Sequence, residues 1–216
     1  MKKRERMKPK CTKSLFKGKR SHDQDCGQRA QRQNVSRDKY EKEKKIFLDS
    51  LVKSDEQRQA MKRSTVMQQY SGEWLEERRK LLTSSNFGTV CKHKPHTGCE
   101  NLVKQMLYGK CLQTQQMIFG QTNERTAIRE LERKENIVLQ CCGLVTDKNM
   151  PYLGSSPDGL IENNGVVEVK CPWSAAEMTP EEALTAGKIT VLKQTKNGII
   201  INKTRSWFYQ IQIHYK

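Results

Sequence analysis

The sequence predicts an α/β chain, a mixed sheet flanked by helices, and three observations carry that expectation. Residues 102–107 and 124–131 repeat apolar side chains at helical spacing. Val166-Val167-Glu168-Val169-Lys170 alternates instead, so Glu168 and Lys170 share one face of a strand while Val167 and Val169 take the other. Trp207, Gln210, Ile211 and His214 return to helical spacing, which gives the order helix, three antiparallel strands, helix. A length of 216 residues suits one core of ordinary domain size with a tail.

Residues 1–45 are dense in Lys, Arg, Gln and Ser and are expected to form a largely disordered basic tail. The clusters at 2–10 and 17–20 read either as nuclear-import signals and phosphate-binding arms or as a solvated basic segment. Residues 46–70 form a helical lead-in: Ile46, Phe47 and Leu51 open it, and Ser54-Asp55-Glu56-Gln57 is a capping box. The main domain is assigned to residues 71–216. Its first helix runs from Trp74 into Leu81-Leu82, after which Thr83, Ser84 or Ser85 caps the next helix near Phe87. Leu102, Val103, Met106 and Leu107 give a helix that Gly109 ends. Glu124 heads the otherwise apolar face of Ala127, Ile128 and Leu131, either as a first-turn carboxylate serving the helix dipole or as a member of a site. Residues 137–145 read as the first strand, followed by a turn at 147–151, where Asp147 fits turn chemistry better than a metal shell. Thr179-Pro180-Glu181-Glu182 opens a short helix, and Asn197-Gly198 turns between two late strands.

The chemistry concentrates between Ser155 and Pro172. Asn163-Asn164-Gly165 suits a three-residue hairpin loop, a type I turn closed by Gly165 in the left-handed conformation. That register sets Asp158 opposite Lys170 and diagonal to Glu168, so two carboxylates and an ammonium converge. A two-residue loop would turn Asp158 to the other face. Hard divalent ions such as Mg²⁺ and Mn²⁺ prefer carboxylate, carbonyl and water oxygens. A neighbouring lysine can orient or deprotonate water and offset charge on a phosphoryl oxygen. The arrangement is that of a metal-dependent nuclease, although a surface hairpin with a cross-strand salt bridge has the same spacing.

A net charge of +16 points to an anionic partner, nucleic acid being the commonest. No apolar run approaches the ~20 residues that cross a bilayer, and the opening Met1-Lys2-Lys3-Arg4-Glu5-Arg6 lacks the apolar stretch of a secretory signal. An intracellular protein is expected, nuclear if eukaryotic, with no membrane partner and with its eight cysteines reduced. Cys91, His93, His96 and Cys99 have zinc-ligand chemistry, but they are cramped and a Lys-rich polar loop explains them as well.

Five ordered blocks extend this reading. Trp74, Arg78 and Leu82-Thr83-Ser84-Ser85 look like the opening W-x3-R-x3-I/L-T-A-S element of the YqaJ-like viral recombinases, relatives of phage lambda exonuclease in the PD-(D/E)xK nuclease superfamily, with Ser84 where Ala is usual. Gly120 to Glu124 with Ala127 is similar to the family's G-x3-E-x2-A helix. Ser156-Pro157-Asp158-Gly159 and Glu168-Val169-Lys170-Cys171-Pro172 resemble its SPDG and E-I/V/L-K-C-P blocks, and Gln210-Ile211-Gln212 its closing Q-V/I-Q helix. The resemblance implies a restriction-endonuclease-like core, here apparently truncated at its C-terminal part, and hydrolysis of DNA phosphodiesters. It further implies 5′-to-3′ action on double-stranded ends, in recombination, repair or a viral or mobile-element setting, and a homo-oligomer. Asp158, Glu168 and the Val169 carbonyl would hold one or two Mg²⁺ or Mn²⁺ ions, with Glu124, Lys170 and Gln210 completing the catalytic set. Arg78, Ser85 and Ser156 would bind the 5′ phosphate. The competing reading is a noncatalytic nucleic-acid binder derived from such a recombinase.

Overall fold

The computed structural model describes residues 35–109, 114–162 and 165–214. The elements below belong to the unit Ser36–Lys216. The basic clusters at 2–10 and 17–20 lie outside the described residues. The expected α/β class is observed, with eight described α-helices and seven short strands.

The helical lead-in opens earlier than residue 46. Helix α1, Arg37–Ser50, is capped by the Ser36 hydroxyl, which accepts from the Lys39 N–H, and Lys39–Glu43 and Lys44–Glu41 pairs line its surface. Polar composition alone suggested a tail there, but local capping and one-turn charge pairs favour helix. Helix α2, Asp55–Ser64, carries the expected capping box between Ser54 and Gln57. A 3-10 turn, Gln68–Tyr70, leads to α3, Gly72–Lys80. That helix stops short of Leu82 because Leu82–Thr83 forms β1, pairing in parallel with β3, Leu153–Ser155. Helix α4, Ser84–Cys91, follows directly, with Thr83 as its N-cap, and α5 spans Glu100–Tyr108, ended by Gly109.

Helix α6, Gln115–Glu135, is far longer than the expected apolar face, so Glu124 sits in its middle and not in the first turn. The strand expected over residues 137–145 shrinks to β2, Val145–Thr146, antiparallel to β3, plus one bridge between Gln140 and Leu160. The main-chain groups in between are taken by the lead-in: the Thr65 hydroxyl accepts from Leu144 N–H at 2.7 Å, and the Gln68 amide donates to the Cys142 carbonyl at 3.0 Å. Asp147 serves its turn, as expected, with Oδ1 accepting from the N–H groups of Asn149 and Met150.

The site hairpin joins β4, Gly159–Ile161, to β5, Gly165–Val167, in a register two residues from the one expected. Ile161 pairs with Gly165 and Gly159 with Val167. The left-handed residue is Glu162, φ 49°, whereas Gly165 is extended against Ile161, which leaves no room for a Cβ. Asn163 and Asn164 lie outside the described residues. A slip of two preserves the direction of every side chain, so the chemical face survives. Beyond it, α7, Pro180–Thr185, opens with the expected Thr179 cap. Strands β6, Leu192–Thr195, and β7, Gly198–Ile201, form a hairpin whose loop is Lys196-Asn197, with Gly198 at φ 112°. Helix α8, Ser206–His214, completes the described chain.

Leu51, Met61, Leu81 and Leu144 form a buried cluster, with Leu48 and Trp74 packed against it. The core thus draws on the lead-in as well as on the main domain. Helix α8 crosses α4 at Gly88, where an added Cβ would meet the Ser206 backbone at 2.8 Å. Gly88→Ala is therefore expected to destabilise the fold by about 1–3 kcal/mol, as overpacked contacts do. Denaturant unfolding checks this, and an unchanged midpoint would refute the close approach.

Candidate active site

The hairpin brings the first two site residues together. Asp158 lies just before β4 and Glu168 just after β5, at the end of the ladder where Gly159 pairs with Val167, and the two carboxylates are close enough for each charge to act on the other. The Asp158 N–H donates to the Val167 carbonyl at 3.1 Å, and Asp158 Oδ2 accepts from Val169 N–H at 2.6 Å. The main chain of one strand end therefore orients the carboxylate of the other.

Helix α8 supplies the second wall. The Gln210 amide donates to Glu168 Oε1 at 2.5 Å, and His214 Nε2 lies 2.8 Å from Glu168 Oε2. The Lys170 ammonium pairs with Glu168 Oε1 and stands 4.7 Å from the centre of the Trp207 ring. Spaced four residues apart, Gln210 and His214 present to the same carboxylate. The His214 side chain is 1% exposed, and its Nδ1 meets the Ser155 hydroxyl from β3. A neutral ring that accepts from Ser155 and donates to Glu168 satisfies both contacts. The sequence placed His214 on a helical face with Gln210 and gave it no role in the site. It is buried, but against Glu168, and the helical face it shares with Gln210 was the one signal in the sequence.

The Asp158 and Glu168 carboxylates are electrostatically unequal. Burial pushes Asp158 up to about 6, and the charges of Glu168 and Glu124 push the same way against the Val169 N–H and Lys170. Burial also works against charge on Glu168, yet the His214 hydrogen bond and Lys170 outweigh it and hold its pKa below the usual carboxylate value. Glu124 is raised, first by burial, then by Glu168, with Lys170 and Arg125 opposing. Glu124 from α6 thus belongs to the same electrostatic cluster as Asp158, Glu168 and Lys170. Among the described residues no group of three or more His, Cys, Asp and Glu side chains is close enough to hold a metal ion on its own. His93 Nε2 instead meets the Thr97 carbonyl at 2.9 Å.

Arg78, Ser85 and Ser156 form a second constellation around Trp74. The Arg78 guanidinium stacks 4.0 Å from the Trp74 ring centre and donates to Ser85 Oγ at 3.4 Å. The Trp74 indole N–H donates to Ser156 Oγ at 2.8 Å. Burial lowers Arg78 to about 10, which leaves it charged at neutral pH. Ser156 is two residues before Asp158, so the two constellations share one short segment.

Among the described residues no helix is long and apolar enough to cross a membrane. No curated protein matches the chain in sequence. An alkaline exonuclease from Laribacter hongkongensis is similar in structure, at 20% identity and a TM-score of 0.49, and its complex with dAMP at 18% and 0.48. In both cases 66% of this chain is covered, and the chain spans 66% of the other's length. Residues 73–213, well over half of the sequence, match the YqaJ-like viral recombinase domain. The chain belongs to the YqaJ-like viral recombinase domain family.

Proposed function

We propose that the protein is a metal-dependent nuclease that hydrolyses DNA phosphodiesters from the 5′ ends of duplexes. The observation that carries this reading is the convergence of Asp158, Glu168, Glu124 and Lys170 beside a stacked arginine and two serine hydroxyls. The donor set fits a hard cation: two electrostatically coupled carboxylates, with the Val169 carbonyl next to Glu168, supply oxygens. The raised Asp158 reflects burial first and then the charges of Glu168 and Glu124, which the Val169 N–H and Lys170 do not offset. Asp158, Glu168 and the Val169 carbonyl would hold Mg²⁺ or Mn²⁺, which when bound supplies positive charge to the phosphoryl oxygens and acidifies water.

The chain's own groups do the rest. Gln210 and His214 hold the Glu168 carboxylate in one orientation. Lys170, placed between Glu168 and the Trp207 ring, is suited to orient the attacking water and to offset charge growing on the phosphoryl group. The Arg78 fork and the Ser85 and Ser156 hydroxyls are suited to a terminal phosphate, which a guanidinium binds with charge-assisted hydrogen bonds. The net charge of +16 favours the backbone of the duplex.

Incubation with end-labelled linear duplexes in Mg²⁺ or Mn²⁺ tests the reading. Cleavage is expected to prefer 5′-phosphorylated ends, and Lys170→Ala or Asp158→Asn to slow it by about 10²-fold or more while DNA binding persists. Inertness with every metal would leave only the noncatalytic binder. Arg78→Ala is expected to erase the preference for 5′-phosphate, a loss of about 10- to 100-fold confined to phosphorylated ends. An equal loss on unphosphorylated ends would refute that role.

The Asp158 shift gives a pH test. With a native pKa of about 6 against 3.8, the folded state holds the proton more tightly, so this group favours folding below pH 3.8 and that contribution is lost as pH rises through 6. In chelator, Asp158→Asn should therefore melt higher than the wild type at pH 7, with the gap closing near pH 4. Divalent ions should stabilise the wild type increasingly as pH rises through 6. Thermal melts across pH check both, and a gap that widens toward acid would contradict the assignment.

A further inference from the structure

Two adjacent glutamines outside the matched residues 73–213 reach both carboxylate-bearing segments. Gln68 has φ 43°, a left-handed conformation that strains a non-glycine residue. Its side-chain amide donates to the Pro157 carbonyl at 3.1 Å, immediately before Asp158, and to the Cys142 carbonyl at 3.0 Å. Both amide donors are thus committed to main-chain oxygens of the site segment and of the irregular segment before β2. Gln69 Oε1 accepts from Gln121 Nε2 at 2.9 Å, and Gln121 lies one turn before Glu124 on α6. A cleft of about 500 Å³ is walled by Gln68, Gln69 and Gln121 and reaches Glu124 and Asp158. The end of α2 anchors this bridge. Thr65, fully buried, donates to the Met61 carbonyl at 2.6 Å and accepts from Leu144 N–H at 2.7 Å.

We propose that Gln68 and Gln69 are positioning residues that set the separation between Asp158 and Glu124, which makes the 3-10 turn Gln68–Tyr70 part of the catalytic unit. A turn alone would be served by Gly or Asn at φ 43°. Glutamine has the reach to span two carbonyls, and strain of this kind persists where the surroundings over-determine it. The proposal rests on the nuclease reading, because the separation matters only if a shared cation or substrate lies between the two carboxylates.

The test uses the full chain and four variants, Gln68→Gly, Gln68→Asn, Gln69→Ala and Asp158→Asn, with Mn²⁺ binding by calorimetry, thermal melts, and kcat and KM on a 5′-phosphorylated duplex. Gln68→Gly accepts the backbone conformation and removes the side chain with its amide, while Gln68→Asn keeps an amide that is one methylene short. Both are expected to lower Mn²⁺ affinity and kcat by about 10- to 100-fold, as the loss of a group supporting metal ligands does. KM for DNA should change by less than about twofold, the mark of an interaction confined to the chemical step. Gln69→Ala, which loses one exposed contact, should move the same quantities in the same direction and decides the matter if the Gln68 variants do not fold. Wild-type Mn²⁺ binding and kcat in the folded variants, or a lowered melting temperature with wild-type turnover, would overturn the proposal. Mn²⁺ affinity unchanged in Asp158→Asn would instead overturn the nuclease reading itself.

Discussion

A carboxylate removed from water is stable as an anion only if donors replace its hydration, and Glu168 is where this constraint organises the protein. Its side chain is 11% exposed, and its oxygens are met by Lys170 from its own strand end and by Gln210 and His214 from α8. The last helix is thus tied to the hairpin by polar contacts as well as by its packing on α4, and Ser155 fixes the far side of the His214 ring. Asp158, at the neighbouring strand end, accepts from the Val169 N–H and has two carboxylates as neighbours. One member of the pair is held ionised and the other is pushed toward its acid form. That asymmetry is the electrostatic gap that a divalent ion would fill.

Periodicity explains what the sequence disclosed. Alternation from Val166 to Lys170 depends only on backbone geometry, so the chemical face of the hairpin could be read before its register was known. The register itself turned on a loop conformation, with Glu162 taking the left-handed position assigned to Gly165, and the two-residue difference left side-chain direction intact. Capping boxes at Ser54 and Thr179 were legible for the same local reason. What failed was non-local. Residues 137–144 look like a strand because they are apolar, but the Leu144 N–H and the Cys142 carbonyl bond Thr65 and Gln68, contacts that no local pattern announces. His214 was passed over because its partners lie 59 and 46 residues away in Ser155 and Glu168.

Trp74 connects the anion-binding and carboxylate constellations. Its ring face carries the Arg78 guanidinium and its indole N–H fixes Ser156, so one side chain orients two groups suited to phosphate. From Ser156 to Asp158 the chain advances by two residues, a span of at most about 7 Å between Cα atoms. On the proposed reading, the terminal phosphate and the bond to be cut are therefore gripped by one rigid segment. Motion of the substrate end relative to the carboxylates would have to break the Trp74–Ser156 contact.

The boundary of the family match and the boundary of the physical unit do not coincide, and the accounting of buried groups shows why. Leu51 and Met61 come from before residue 73, yet they share a core with Leu81 and Leu144. Without the lead-in, the Leu144 N–H and the carbonyls of Cys142 and Pro157 would lose partners, at roughly 1–3 kcal/mol for each group left buried and unpaired. Losses of that size compete with the whole stability of an ordinary domain. The chemistry from Trp74 onward thus depends on a scaffold whose sequence need only supply a capped helix, a buried hydroxyl and an amide of the right length. Such requirements constrain few letters, which is why a sequence model can begin at residue 73 while the fold begins well before it.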